Sequence, residues 1–450
     1  MILPLFGKSQ SQSVLYQMHK TVPEANFLNP ALFPDYKAFY TFPGVYTSIQ
    51  TTFGLNDIIS FTENGYYLDE NKVSNLLNRK KNLRFSQQFD VPVFNLGARV
   101  GKGFFTVSAN TKAQTDISLS SDVPSWIFWG SEGNQNNGVL DFKGSKLKMI
   151  GYHEIAVGYG REINDRITFG ARIKYLQGIA HASVNLDAAL YMNIDSVTLE
   201  NRNIEVRVGG IKHLIDVDEE SFSNSQIITD RIEQKDFGFN KNRGFAIDLG
   251  MTYKLMPDLT LSAAVNDLGF ISWKSNTGIY SLTGSNFTTY GPELNGLDDL
   301  DGVGDFFDNL VDSLDNHYNI ESSVNQTYTS GLTANVYLGA NYQLGRVHSV
   351  ATLFHNRIGN GRISPSWSVA YNLQLGKYLN TVINWSASNG RANNLGTGLS
   401  LNLFGLQAYI ISDQVLTPLI SGIGSLNKMD VRFGLNIAVG YLNPFKFIYN

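Results

Sequence analysis

The residues Met429-Asp430-Val431-Arg432-Phe433-Gly434-Leu435-Asn436-Ile437-Ala438-Val439-Gly440-Tyr441 alternate without a break: odd positions are apolar or aromatic, even positions charged, polar or small. Side chains along a β-strand point to opposite faces, so this stretch has one greasy side and one wet side. It is long for a strand of a soluble domain. It suits a strand crossing a bilayer at a tilt, which needs about 9–11 residues in hydrocarbon. A lone strand cannot cross, because in lipid only helices and closed barrels satisfy every backbone group. The rest of the chain must therefore supply a transmembrane antiparallel β-barrel, an all-β fold.

Composition points the same way. Of 450 residues only 16% are charged, against about 25% in an ordinary soluble domain. The 42 Gly, 22 Tyr and 28 Phe suit a barrel whose apolar wall meets lipid between aromatic girdles. No apolar run approaches the length of a membrane helix. A net charge of -4 speaks against a nucleic-acid partner, and the absence of cysteine removes disulfides and thiolate metal sites. Residues 1–12, opening Met1-Ile2-Leu3-Pro4-Leu5-Phe6-Gly7, read as the remnant of a signal peptide; ordered N-terminal residues are the alternative.

Residues 13–35 do not alternate: Leu15, Tyr16, Met18 and His19 read as a short helical turn and Asn29-Pro30-Ala31-Leu32-Phe33-Pro34 as a rigid Pro-bracketed segment, so they stand outside the wall as an N-terminal plug. From Tyr36 the alternating pattern recurs fourteen times, ending in the stretch described above. Long excursions at 54–83, 120–140, 178–241 and 274–329 separate strands on one side. Turns on the other side are short: Gly101-Lys102-Gly103, Asn164-Asp165-Arg166, Met256-Pro257-Asp258 and Gly345-Arg346. Short periplasmic turns against long external loops are the rule for bacterial outer-membrane barrels, so residues 36–450 are expected to form one. Pro43-Gly44 interrupts the first strand and predicts a kink, with a lateral gap in the wall as its consequence.

A fourteen-strand barrel preceded by Asn29-Pro30-Ala31 resembles the FadL-like outer-membrane transporters. The further pattern Leu15-Tyr16, Phe33-Pro34 and Asn266-Asp267-Leu268-Gly269 leading to Trp273 is similar to a Bacteroidetes branch of that family, which includes PorV and PorP/SprF-type subunits of secretion and gliding machines. The resemblance implies that residues 13–35 form a hatch in the lumen. It transfers no ligand-binding residue and no solute.

Candidate chemistry is sparse. Arg172, Lys174, Asp248, Lys254, Asp430 and Arg432 fall on the wet faces of their strands and are expected to face the lumen, either setting ion selectivity or pairing inside a plugged barrel. Asp298, Asp299, Asp301 and Asp305 offer oxygens for a hard cation, beside the alternative of a solvated amphipathic helix. No histidine spacing marks a metal site and no nucleophile turn marks an enzyme, so neither cofactor nor catalysis is expected.

Two functions fit. In one the chain is an accessory or scaffold subunit whose long loops dock on other outer-membrane or surface proteins, with lipid around it. In the other it carries a small hydrophobic molecule across the outer membrane. The sequence favours the first, since no lumen-facing apolar stripe stands out among the strands whose register can be read.

Overall fold

A computed structural model describes residues 12–62, 65–129, 138–192, 196–216, 226–227, 238–283, 286–289, 319–359, 361–388 and 391–442. Fourteen antiparallel strands close into a barrel. The first wall position, β1, is made of two segments, Tyr36–Thr41 and Val45–Thr51. The wall continues through β2 (Asn82–Val100), β3 (Gly103–Ser120), β4 (Ser145–Glu162), β5 (Ile167–Met192), β6 (Arg243–Met256) and β7 (Leu259–Trp273). It is completed by β8 (Tyr328–Gly331 with Ala334–Leu344), β9 (His348–Gly359), β10 (Arg362–Leu375), β11 (Leu379–Ser388), β12 (Arg391–Leu403), β13 (Leu406–Ser412) and β14 (Lys428–Tyr441).

Closure rests on the most regular stretch of the sequence. One edge of β14 pairs with β13, Ile410 opposite Phe433, and the other with both segments of β1, Tyr40 opposite Ile437 and Ser48 opposite Asp430. No sheet edge is left open at this seam, as lipid requires. Outward positions such as Val157, Ile173, Phe433 and Leu435 are large, apolar and exposed, whereas their neighbours Ala156, Arg172, Lys174 and Asn436 are buried. The outer face carries aromatic pairs at two levels, Phe105 with Tyr159 and Tyr175 with Phe245. No described helix is long and apolar enough to cross a membrane.

The kink at Pro43-Gly44 is present; the gap is not. Phe42 N–H donates to Leu435 O at 2.9 Å and Gly44 N–H to Pro92 O at 3.2 Å, so both neighbours stay bonded across the break. A side chain at Gly44 would meet Phe433 O at 2.9 Å, which shows how closely the backbones approach. A matching irregularity between Pro92 and Phe94 in β2 absorbs the distortion. Proline removes one donor and the paired bulges restore the ladder on either side.

Three further features depart from the alternation template. Residues 120–140, expected as an extended loop, contain helix α1 (Asp122–Trp129), whose Trp126 is buried against Leu140, Leu190 and Leu199. A period of 3.6 within eight residues is too short to stand out beside strands. Strand β5 does not stop near 177 but runs for 26 residues. Its outer half leaves β6 and pairs with Val197–Gly209, which pairs in turn with Gly278–Thr283, itself paired with Asn319–Val324. The excursions are therefore partly one sheet standing above the barrel. Residues 1–11 and the acidic stretch with Asp298, Asp299, Asp301 and Asp305 lie outside the described residues.

Ile173 is exposed on the lipid face, inside the part of β5, residues 167–177, that pairs with β6 in the wall. Ile173→Arg is expected to cost about 2–4 kcal/mol, as a cation at mid-membrane depth does in such barrels. Denaturant unfolding in lipid vesicles measures it; an unchanged midpoint would place Ile173 outside the hydrocarbon.

Candidate functional site

Residues 12–35 lie inside the barrel. Lumen-facing side chains from around the ring bond to them: Asn372 donates to Gln17 O at 3.0 Å, Gln407 to Thr21 O at 2.8 Å and Asn266 to Leu28 O at 2.7 Å. Asn380 donates to Thr21 Oγ1 at 2.7 Å and Asn384 to Ser13 Oγ at 2.9 Å. Small amides suit this task because they satisfy an irregular backbone without bringing charge into the barrel.

A second set of contacts is apolar. Val14, Leu15, Met18, Val22, Ala25 and Leu28 pack against Tyr337, Leu353, Ala370, Val382, Tyr409 and Ile411, which come from β8 to β13. These wall residues form a greasy lane across roughly half the lumen. The sequence reading missed it because most strands give the lane a single residue, and only the register lines them up.

Asn29-Pro30-Ala31 has its own seat. Gly160 lies opposite Gly170, and Gly170 opposite Gly250, so three glycines form one row across β4, β5 and β6. A methyl at Gly170 would overlap the Pro30 carbonyl, one at Gly250 the Asn29 side chain, and one at Gly160 the Phe33 ring. Asn29 Oδ1 accepts from Ala31 N–H at 2.9 Å, and its amide donates to Tyr16 Oη at 3.0 Å. The asparagine fixes a turn that proline stiffens, and the glycine row lets that turn lie flat on the wall.

Four of the six charges expected in the lumen belong to two buried clusters, and a fifth, Arg432, is buried without an ion pair among the described residues. In the first, Lys174 Nζ lies 2.8 Å from Asp248, 2.6 Å from Asp267 and 3.6 Å from Glu154. Arg172 pairs with Asp248 at 3.4 Å and donates to Asn26 O at 3.1 Å, with its guanidinium 5.3 Å from the Phe27 ring centre. Lys112 joins through Glu154 at 2.8 Å. The sequence pattern passed over Lys112, Glu154 and Asp267. Asp267 is the instructive one. A register shift between Ile247 and Leu249 and a left-handed backbone (φ 59°) turn it toward Lys174; odd positions of β7 before it, such as Leu261, face lipid, and the parity reverses after it, with Leu268 and Phe270 exposed and Ile271 and Trp273 buried. In the second cluster Lys428 pairs with Asp413 at 3.3 Å and Asp430 at 3.6 Å, and Asp413 accepts from Ser13 Oγ and Val14 N–H at 3.0 Å each. Arg432 donates to Gln12 at 3.0 Å. Lys254 is exposed at the barrel rim and joins neither cluster.

A bridge crosses the lumen nearer the outer mouth. Arg357 on β9 donates to both carboxylate oxygens of Asp116 on β3, at 3.3 and 3.1 Å, from the opposite side of the ring. Ser86 and Gln114 also donate to Asp116. Between this bridge and the plug lies a cavity of about 80 Å³, bordered by Phe27, Leu28, Tyr152, Lys174, Asp267 and Arg357. It is polar and smaller than the roughly 150 Å³ apolar cavity that accepts benzene. Outside the bridge lies a second space of about 60 Å³.

A family model of unknown function, DUF5723, matches residues 30–413. The chain belongs to this family. Its matched region begins within the plug's own motif and covers every wall strand from β1 to β13 of this DUF5723 barrel. No curated protein matches it in sequence. Among solved structures it is similar to the Ralstonia pickettii toluene transporter TbuX, at 10% identity and TM-score 0.43 over 93% of this chain and 94% of that one. It is also similar to the monoaromatic hydrocarbon channel CymD, at 9% identity and TM-score 0.44 over 98% and 100%. A third is a Pseudomonas aeruginosa FadL homologue, at 11% identity and TM-score 0.38 over 96% of each chain.

Titratable groups on the plug respond to burial. Burial pushes the Glu24 carboxyl above the usual range, against hydrogen bonds from Tyr409 and Asn436 that favour its charge. Burial likewise raises Asp35 to about 6 and lowers His19 to about 4. An acid whose folded pKa is raised stabilises the seated plug below its ordinary pKa, and this is lost as pH rises through the shifted value. For Asp35 the window runs from 3.8 to about 6. The histidine acts oppositely, its contribution being lost as pH falls from 6.5 through about 4.

Two outcomes follow. Gly250→Val is expected to unseat Asn29-Pro30-Ala31 at about 1–3 kcal/mol, the cost of overpacking, and to expose residues 12–35 to protease in the folded barrel; protection equal to wild type would remove the glycine seat. Asp35→Asn is expected to flatten the loss of thermal stability between pH 4 and 6, whereas an unaltered profile would assign that loss elsewhere.

Proposed function

We propose that this chain is a plugged channel of the outer membrane that passes a small hydrophobic molecule when its N-terminal hatch shifts. The observation that carries this reading is the greasy lane under the plug. Residues 12–28 cover Tyr337, Leu353, Ala370, Val382, Tyr409 and Ile411; if the hatch moves, the lumen gains an apolar track on one wall. A structural filler needs no such arrangement, since polar contacts alone would seat it. The amides that hold the plug can exchange their bonds with water. At rest the cavity of about 80 Å³ is too small and too polar for an apolar solute, so movement of the hatch is required. With no lateral gap at Pro43-Gly44, the route runs along the lumen.

A scaffold role is the second reading. It draws on the sheet of Val197–Gly209, Gly278–Thr283 and Asn319–Val324 above the barrel, and on an external hairpin whose Phe61, Tyr66 and Tyr67 are exposed. The likeness of the Asn266-Asp267-Leu268-Gly269 pattern to a branch that includes machine subunits belongs with it.

The chain has no cysteine, so a designed pair reports cleanly. Ser13→Cys with Asn384→Cys places a thiol on plug and wall where their side chains meet at 2.9 Å, within reach of a short reducible bis-thiosulfonate cross-linker. In proteoliposomes the cross-linked protein is expected to lose uptake of a small aromatic hydrocarbon and to regain it on reduction. Equal uptake in both states, or none above empty vesicles, would sink the channel reading and favour the scaffold.

A further inference from the structure

The space outside the Arg357–Asp116 bridge is built unlike the rest of the lumen. Its border includes Arg84, Arg357, Arg362 and Asp116, three guanidiniums to one carboxylate, with Thr52, Ser118 and Ser364 among the remaining groups. Asp116 is taken by Arg357, at 3.1 Å. Among the described residues Arg84 and Arg362 have no carboxylate within ion-pair distance. Arg84 Nε and Ser118 Oγ are both shut off from solvent and both lack a hydrogen-bond partner. In the two buried clusters below, the lysines are matched: Lys174 meets three carboxylates, Lys428 two. Removing an N–H donor of a guanidinium from water without an acceptor is costly, and two unmatched cations facing one space repel each other. Such a site is incomplete without an anion.

We propose that this outer vestibule binds a tetrahedral oxyanion, a phosphate or sulfate group, held by Arg84 and Arg362 with Ser118 as a further donor. The class follows from the donors. Two planar forks approaching from β2 and β10, with a hydroxyl from β3, surround an acceptor that offers oxygens in several directions, which suits four tetrahedral oxygens better than a flat carboxylate. The free space, about 60 Å³, admits a single such group. Because Arg357 borders the same space and holds the bridge, the bound anion sits directly above the constriction. The group can belong to a free ion or to the head of a larger molecule.

The test is calorimetric titration of the full chain in detergent, near neutral pH and low salt, with inorganic phosphate and with sulfate, using acetate and chloride for comparison. Phosphate and sulfate are expected to bind at one site, about tenfold or more tighter than acetate or chloride, since each charged hydrogen bond carries that order of discrimination. Arg84→Ala and Arg362→Ala are each expected to weaken binding about tenfold or more, and Arg84→Lys less. Lys254→Ala, at the exposed rim, serves as a charge control and is expected to leave binding unchanged. Heat-modifiable gel migration confirms that each variant keeps its barrel. Dihexanoyl phosphatidic acid, below its micelle concentration, separates the sources: tighter binding than inorganic phosphate assigns the site to a headgroup, and equal binding to the free ion. No binding by the wild type, acetate as tight as phosphate, or indifference to both arginine substitutions would overturn the proposal.

Discussion

In hydrocarbon every peptide N–H and C=O must find a partner within the protein, and this governs the molecule. It forces the wall to close, and closure makes β14 bond to both segments of β1 across a proline. Closure also settles which residues face inward. Once every strand is paired on both sides, its alternate positions have only two destinations, lipid or lumen. The kink at Pro43-Gly44 shows the strength of the constraint: the ladder is interrupted, yet backbone bonds from Phe42 and Gly44 restore it at once. A bulge between β6 and β7 is used differently, turning Asp267 from the lipid side into the central charge cluster.

The inner face then meets a second problem, an irregular segment that must be held without a sheet of its own. The barrel divides the work. Amides from β7, β10, β11 and β13 bond to plug backbone or side chains, a greasy lane takes its apolar side chains, and a row of glycines seats its stiffest turn. Charge is gathered at two places where it also grips the plug, Arg172 at Asn26 and Asp413 at Ser13. Buried ion pairs of this kind add little net stability over apolar packing, but they are costly to break singly, which makes them good registers of position. The outer bridge from Arg357 to Asp116 adds a separate constriction above the plug.

The parts of this architecture that were legible in the chain are those with a period. Strands such as Ile167–Tyr175 and Phe245–Leu255 declare both their existence and their inward set, so alternation alone puts Arg172, Lys174, Asp248, Asp430 and Arg432 on the wet face. Lys254 followed the same parity yet lies at the rim, because alternation says which face a residue takes and nothing about its depth. The helix at Asp122–Trp129 escaped because it is too short to show its period; the alternation of residues 182–193 and 197–208 reads as an external hairpin, but nothing local shows that its first strand continues β5.

What the sequence determined by itself is the barrel, because lipid imposes a two-residue period on each strand separately and each strand can be read alone. The site was decided by tertiary structure. The lane from Tyr337 to Ile411, the glycine row, the unmatched pair Arg84 and Arg362, and the bridge across the mouth all join residues on different strands. Their meeting depends on register and on ring closure, and neither leaves a local mark in the chain.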